Sequence, residues 1–185
     1  MSRPAPGRLE LVRDLLNTVS VARGTDEIAE PDGYREWLVR NGFPGAATAA
    51  DRRRTVALRD GLRALVGAHG ADEPLAPATL ASARAAVGDP ALRLDVDGSG
   101  AITLVPAGGR LVAPAAVLAA VAAAAVDGSW SRLKLCRRPT CRWAYFDASP
   151  ARAAVWCTMA VCGARHKSRA YRQRRGSAAD ARRGR

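Results

Sequence analysis

Two cysteine pairs shape this chain: CRRPTC at residues 136–141 and CTMAVC at residues 157–162. They hold the only four cysteines among the 185 residues. Two Cys-x4-Cys pairs separated by a short loop can converge on one tetrahedral Zn²⁺, each pair forming one knuckle. The spacing therefore predicts one structural zinc ion, with the following ligands: Cys136, Cys141, Cys157 and Cys162.

The composition of this site argues against catalysis. Four thiolates close the coordination shell, whereas a catalytic zinc ion keeps an open position. Free or disulfide-bonded cysteines are the alternative, but cysteine pairs in a reducing cytosol favour metal. His166 could replace one ligand, although four cysteines already suffice. The sequence shows no nucleophile triad, acid–base pair or phosphate loop, so we predict that the protein is not an enzyme.

Positive charge is concentrated in the C-terminal part of the chain. Residues 130–185 hold 15 of the 29 Lys and Arg residues, with only Asp147 and Asp180 as acids. The preceding residues are almost neutral. This asymmetry indicates a polyanionic partner for the C-terminal part. A basic face that contacts only solvent is the alternative.

The sequence predicts a cytoplasmic protein without a membrane partner. The first residues show neither an apolar signal region nor a cleavage signature. The longest apolar run, 111–126, is rich in Ala and contains Pro114. It is shorter than the roughly 20 apolar residues of a spanning helix, so we interpret it as a buried helix.

Hydrophobic periodicity predicts a mainly helical N-terminal domain. The predicted helices lie at 9–21, from the Pro31 region through Trp37 to Asn41, after a Thr48 cap, at 77–87 and at 114–126. Residues 92–96 and 102–105 alternate around a turn, which predicts a half-buried β-hairpin. The predicted fold class is α+β, with this domain followed by a small four-cysteine zinc-finger module.

The predicted domain boundary lies at Gly128-Ser129. It divides the chain into residues 1–128, a finger at 129–175 and a disordered basic tail at 176–185. A module as small as this finger buries too little surface to fold alone and needs a metal staple.

Two stretches resemble known families. CRRPTCRWAYFD at 136–147 and WCTMAVCGARHKSRAYRQRR at 156–175 resemble the CGNR zinc finger. DLLNTVS at 14–20 and YREWLVRNG at 34–42 are similar to the ABATE domain that precedes this finger in stress-linked bacterial transcription regulators. The resemblance implies a zinc-knuckle or treble-clef-like module, zinc on the four cysteines, DNA binding by the finger and effector sensing by the front domain. The family's Asn is replaced by Ala164.

The segment after the last cysteine is predicted to be a basic helix. If residues 163–175 are helical, they span about 20 Å and can lie across a major groove. Ala164 falls on the least charged stripe of this helix and is predicted to pack on the module. The predicted DNA contacts are the cationic residues Arg165, Lys167, Arg169, Arg172, Arg174 and Arg175.

The leading functional prediction is a transcription regulator that binds duplex DNA. An RNA-binding module with aromatic residues beside Cys141, and a zinc–thiolate redox switch, are the alternatives. In the front domain, Asn17 is a candidate contact for an unknown small-molecule effector, and a helix C-cap is its structural alternative. His69 is predicted to stabilise the end of its helix. The oligomeric state stays open.

Overall fold

Helices and short antiparallel ladders make up the described part of the chain. The computed structural model describes residues 4–45, 47–69, 74–88, 91–108 and 112–165. In chain order the elements are α1 (Leu9–Leu16), β1 (Val19–Ser20), β2 (Thr25–Asp26), α2 (Pro31–Arg40), α3 (Ala49–Gly67), α4 (Pro77–Gly88), β3 (Leu92–Val96), β4 (Ile102–Pro106), α5 (Val112–Val126), a 3₁₀ turn (Trp130–Arg132), β5 (Leu133–Leu135), β6 (Ala144–Phe146) and a π-helical turn (Met159–Gly163). The strands pair as β1–β2, β3–β4 and β5–β6. The predicted α+β class is confirmed.

Helix α1 ends earlier than the predicted limit at residue 21. Asn17 is its C-cap. The Thr18 hydroxyl donates to the Leu15 carbonyl at 2.8 Å, and the Thr18 carbonyl accepts from the Glu27 amide at 2.7 Å. These bonds compete with continued helix and turn the chain into the β1–β2 ladder. The longer helix was therefore a wrong prediction.

The N-terminal ends of α2 and α3 follow from local chemistry. Helix α2 forms in the predicted place and begins at Pro31, with Pro in its first turn. The predicted Thr48 cap of α3 is confirmed. The Thr48 hydroxyl accepts from the Asp51 amide at 3.1 Å, and the Asp51 carboxylate accepts from the Thr48 amide at 3.1 Å.

The core of the front domain lies between α1, α2, α3 and α5. Tyr34 and Trp37 are almost fully buried and stack with ring centroids 6.3 Å apart, as expected for core aromatics. The Ala-rich helix α5 buries residues along much of its length, which confirms the prediction of a buried helix. Across the described ranges, every helix is too short or too polar to cross a membrane.

The β3–β4 hairpin forms in the predicted place, but its apolar face is not half-buried. Leu94 pairs with Leu104 and Val96 with Ile102, so these four side chains share one face. Leu94, Val96 and Ile102 are 66%, 63% and 67% exposed. Helix α5 contacts β4, and the cover is limited to the end of the strand at 104–106. Alternation in the sequence correctly predicted which residues share the apolar face, but it did not predict that most of this face is exposed to solvent.

The zinc-finger segment docks on the front domain instead of standing apart from it. Leu133 and Leu135 of β5 and Ala144 of β6 are buried in the same apolar cluster as residues of α1 and α3. A second, smaller cluster surrounds the cysteines and includes Tyr145 and Trp156. The finger is thus held by the front core as well as by its own residues. The predicted division at Gly128 stays a prediction.

Candidate zinc centre

The four cysteine sulfurs converge on one point. All four Sγ atoms lie within 4.8 Å of one another, and none of these cysteines forms a disulfide. The Cys141 and Cys157 sulfurs are 3.8 Å apart, and those of Cys157 and Cys162 are 3.7 Å apart. A tetrahedral ion with Zn–S bonds of about 2.3 Å places its sulfurs about 3.8 Å apart. The donor set and its spacing fit one structural zinc ion, as predicted.

The first cysteine pair is positioned by the β5–β6 ladder and a tight turn. The Cys136 amide donates to the Trp143 carbonyl at 2.9 Å and continues the ladder. The Arg138 carbonyl then accepts from the amides of Cys141 at 2.9 Å and Arg142 at 3.1 Å. Arg142 has a left-handed backbone with φ of 51°, which returns the chain towards β6. The turn brings the second sulfur of the pair back over the first.

The second cysteine pair is positioned by the π-helical turn. The Thr158 carbonyl accepts from the amides of Cys162 at 3.0 Å and Gly163 at 3.2 Å. Cys162 is almost fully buried at 3% exposure. Gly163 packs against the end of the flexible Met159 side chain, whose sulfur would lie 2.7 Å from a Cβ at this position. The predicted helical segment therefore begins earlier than residue 163, and residues 166–175 lie outside the described part of the chain.

All four cysteine thiols can be deprotonated together only when a cation binds between them. Burial raises the pKa of the Cys141 and Cys157 thiols, and the neighbouring cysteines raise that of Cys157 further. At Cys162 burial also acts to raise the pKa, but hydrogen bonds from the other cysteines and from Arg138 outweigh it and lower the pKa. A divalent cation supplies the charge that allows all four thiolates to coexist. Zinc uptake by this site therefore releases protons.

Asp147, the one acid within the finger, stabilises the loop that follows β6 through hydrogen bonds. One carboxylate oxygen accepts from the Ser149 amide and hydroxyl at 3.0 and 2.6 Å. The other accepts from Lys134 Nζ at 2.8 Å and the Ala154 amide at 3.0 Å. Burial acts to raise its pKa, but the bonds from Lys134 and Ser149 outweigh it and lower the pKa of Asp147 to about 2. The carboxylate thus ties the loop after β6 to β5.

Asn17 joins the front domain to the finger. Its amide nitrogen donates to the Ala144 carbonyl at 3.0 Å, and its amide oxygen accepts from the Ala144 amide at 2.8 Å. Because Cys136 bonds to Trp143, the adjacent Leu135–Ala144 pair is a non-hydrogen-bonded pair of the ladder. The polar groups of Ala144 therefore point away from β5, and Asn17 satisfies both. Asn17 is the C-cap of α1, its structural alternative, although its φ of −94° is not left-handed, and effector contact by Asn17 stays a prediction.

Arg63 of α3 and His69, which follows α3, also contact the finger. We call these contacts, together with those of Asn17, the joint between the front domain and the finger. Arg63 donates to the Leu16 carbonyl at 2.5 Å and to the Arg142 carbonyl at 3.0 Å. His69 Nδ1 lies 2.7 Å from the Leu133 carbonyl, and its ring packs edge-on against Trp130. Because a carbonyl only accepts, Nδ1 carries the proton. The His69 ring bonds to β5, and only its backbone amide, which donates to the Val66 carbonyl at 3.2 Å, bonds to the last turn of α3.

The predicted DNA-binding residues are described in the structure only at the start of their segment. Arg165 is exposed immediately after the π-helical turn. Ala164 is exposed too, so the prediction that it packs on the module was wrong. The side chain at this position faces solvent, where the family's Asn would be available to a partner. The remaining predicted contacts lie outside the described residues: Lys167, Arg169, Arg172, Arg174 and Arg175.

The sequence could not reveal the residues of the joint. Asn17 and Ala144 are separated by more than a hundred positions, and Arg63 resembles any other Arg on an amphipathic helix. The partner of each is a backbone group, whose position no residue type encodes. Asn17 gave a partial signal, since an Asn at a helix end has a free amide for a tertiary contact.

Comparison with protein-family models assigns both parts of the chain. Residues 9–128 match the ABATE family, described as "Putative stress-induced transcription regulator". Residues 132–175 match the CGNR zinc finger. A search of the curated proteins found no match. Neither family description names an enzyme. The first match covers more than half of the chain, and the second contains all four clustered cysteines. The chain therefore belongs to the ABATE family and carries a CGNR zinc finger.

Proposed function

We propose that this protein is a cytoplasmic, non-enzymatic transcription regulator that binds duplex DNA through its finger. The observation that carries the proposal is the position of Cys162. This buried ligand lies in the π-helical turn that leads directly into exposed Arg165. A metal held by four sulfurs thereby anchors the start of the most basic stretch of the chain. Lys and Arg residues supply the phosphate contacts that dominate affinity for DNA.

The proposal assigns the DNA contacts to the six cationic positions predicted from the sequence. Phosphate neutralisation releases counterions, with a log–log slope near −0.9 for each phosphate. Six contacts give a slope of about −5 against salt concentration. An affinity that is insensitive to salt would contradict this mechanism.

The direct test is binding of the zinc-loaded full chain to a duplex selected from a random pool, with and without chelator. Arg165→Gln should weaken binding and reduce the salt slope by about 1. Arg35→Gln is the matched control, because Arg35 lies on α2 and pairs with Asp32 at 2.6 Å. Equal losses in the two variants, or unchanged binding after zinc removal, would refute a DNA-binding role for the finger.

RNA binding is the second candidate, favoured by the exposure of one aromatic ring. Trp143 follows the first cysteine pair and is 37% exposed. Exposed aromatic rings in basic proteins stack on unpaired bases. Competition between the selected duplex, a single strand of the same sequence and a structured RNA separates the two candidates. Preference for the single strand or the RNA, with a loss caused by Trp143→Ala, would favour this second function.

The front domain is proposed to sense a small-molecule effector. The support is the joint itself, because α1 and α3 hold the finger through Asn17, Arg63 and His69. A ligand that alters this joint would alter the placement of the anchored basic stretch. Regulation by a ligand requires different affinities of the ligand for the two arrangements.

A further inference from the structure

A cavity of about 480 Å³ lies at the junction between the front domain and the finger. Gly67 and His69, at the end of α3, contribute to one wall. Leu135 of β5, Tyr145 of β6 and the loop segment 152–155 contribute the other walls. Its volume is within the range of small-molecule sites, which is about 300–1,000 Å³. A molecule bound here would touch both parts of the protein.

The lining of the cavity is cationic. None of its lining residues is Asp or Glu, whereas Lys134, Arg137, Arg142 and Arg152 all contribute to it. Lys134 already bonds to Asp147, so its charge is compensated. Within the described ranges, neither Arg142 nor Arg152 forms an ion pair with a carboxylate. Two arginines that pair with no carboxylate of the described residues thus contribute to a recess whose lining has no acidic residue, and the Arg142 guanidinium lies against Gly67 in its wall.

Neighbouring groups respond to this excess of positive charge. Burial lowers the pKa of Arg63, and the proximity of Arg142 lowers it further. Burial also lowers the pKa of His69, and Lys134 adds to the effect although the bond to Leu133 opposes it. Like charges at the junction therefore repel one another. An anion in the cavity would relieve this repulsion.

The walls also offer apolar contact. Leu135, Ala153 and Val155 line the cavity beside the cationic groups. The Tyr145 hydroxyl is used, since it donates to the Ala154 carbonyl at 2.6 Å, so its ring presents mainly an apolar surface. A site that combines cationic groups with an apolar wall suits a ligand with a charged head and an apolar body.

We propose that this cavity binds a small organic molecule that carries an oxyanion, such as a phosphate or carboxylate group, attached to an apolar body. Guanidinium groups bind such oxyanions through charge-assisted hydrogen bonds. A DNA phosphate is a less suitable occupant, because a recess with an apolar wall offers contacts that a phosphodiester backbone cannot use. The inference rests on the proposed sensing role and names the site and the ligand class.

Calorimetric titration of the zinc-loaded full chain with phenyl phosphate, without DNA, tests the proposal. We expect one saturable site per chain. Inorganic phosphate should bind at least about tenfold more weakly, because it lacks the apolar body. Phenol should not saturate the site. Saturation by phenol, or equal binding of phosphate and phenyl phosphate, would overturn the ligand class.

Arg152→Asn is the variant that addresses the cavity. Arg152 has a positive φ of 52°, a conformation that Asn adopts more readily than other residues. The variant should weaken binding of phenyl phosphate about tenfold or more, through loss of a charge-assisted bond. Arg142→Asn, also at positive φ, repeats the test if the first variant loses zinc. Arg35→Gln removes the same charge on α2 and should leave binding unchanged.

Several results would overturn the proposal. Absence of saturable binding at millimolar phenyl phosphate, or equal weakening by Arg35→Gln, would mean that only the net charge attracts the anion. If Arg152→Asn weakens duplex DNA binding as much as phenyl phosphate binding, the cavity belongs to the DNA surface. Because the titration contains no DNA, failure of the proposed DNA-binding function would leave its outcome unchanged.

Discussion

The Asn17–Ala144 pair allows the joint between the two domains to be tested with one substitution. Asn17→Ala removes the hydrogen bonds of 3.0 and 2.8 Å. It leaves the amide and the carbonyl of fully buried Ala144 without a partner. Each buried backbone group left unsatisfied costs about 1–3 kcal/mol. The two groups together predict a fall of about 2–6 kcal/mol in the free energy of unfolding, a large part of the roughly 5–15 kcal/mol typical of a domain.

The assay combines urea unfolding of the zinc-loaded chain with the rate of zinc release to a chelator. Because Ala144 lies in the ladder that leads into Cys136, loss of the joint should loosen the metal site as well. A loss of docking energy of about 1.4 kcal/mol or more corresponds to at least tenfold faster zinc release, provided that release occurs from the undocked state.

Asn41→Ala is the matched control for this experiment. Asn41 is likewise a helix C-cap, of α2, and its side chain donates to Asp14 at 3.0 Å and to the Trp37 carbonyl at 2.9 Å. It should lower stability by about 1 kcal/mol without speeding zinc release. If Asn17→Ala stays within about 0.5 kcal/mol of the wild type, or if the two variants release zinc at equal rates, the joint is not held by this pair.

Three further predictions concern the metal, the packing and the pH response. Cys141→Ser should lower the zinc content below one ion per chain and expose Trp156, which packs against the cysteine cluster, to solvent; full zinc retention by elemental analysis would contradict the four-sulfur site. Gly33→Ala places a Cβ 1.9 Å from the Glu27 carbonyl oxygen and should lower the free energy of unfolding by about 2–3 kcal/mol. Gly88→Ala, the control, has open space around the added Cβ and should be neutral or stabilising. Burial holds the pKa of His69 below its usual 6.5, so the unfolded chain binds the proton first and stability falls as pH drops below about 6.5. His69→Gln should flatten that slope in urea titrations at saturating zinc, and an unchanged slope would assign it to other groups.

Local features of the chain were predicted well because each is settled by residues close in sequence. The Thr48 cap needs only Asp51, three residues later. The β3–β4 hairpin needs alternation and a turn. The zinc site needs two cysteine pairs with a spacing that forms knuckles, and the structure brings all four sulfurs together. In each case a short segment contains both partners of the interaction.

The burial of a side chain by residues that are distant in the sequence was predicted poorly. The apolar face of the hairpin alternates correctly, yet Leu94 and Ile102 are exposed because no described element covers them. Ala164 was assigned to a packing stripe by periodicity and faces solvent. Periodicity states which residues share a face, but it does not state what lies opposite that face.

The amino-acid order alone specified the main helices, the β3–β4 hairpin, the metal ligands and the charge asymmetry of this protein, because these depend on residue type and short spacing. The position of the finger depended on three-dimensional packing. Asn17, Arg63 and His69 contact backbone groups of the finger, and Leu133 and Leu135 enter the front core. Such contacts exist only when distant backbone groups have already been placed by folding. The same packing creates the cationic cavity, whose walls come from α3, β5, β6 and the loop after β6.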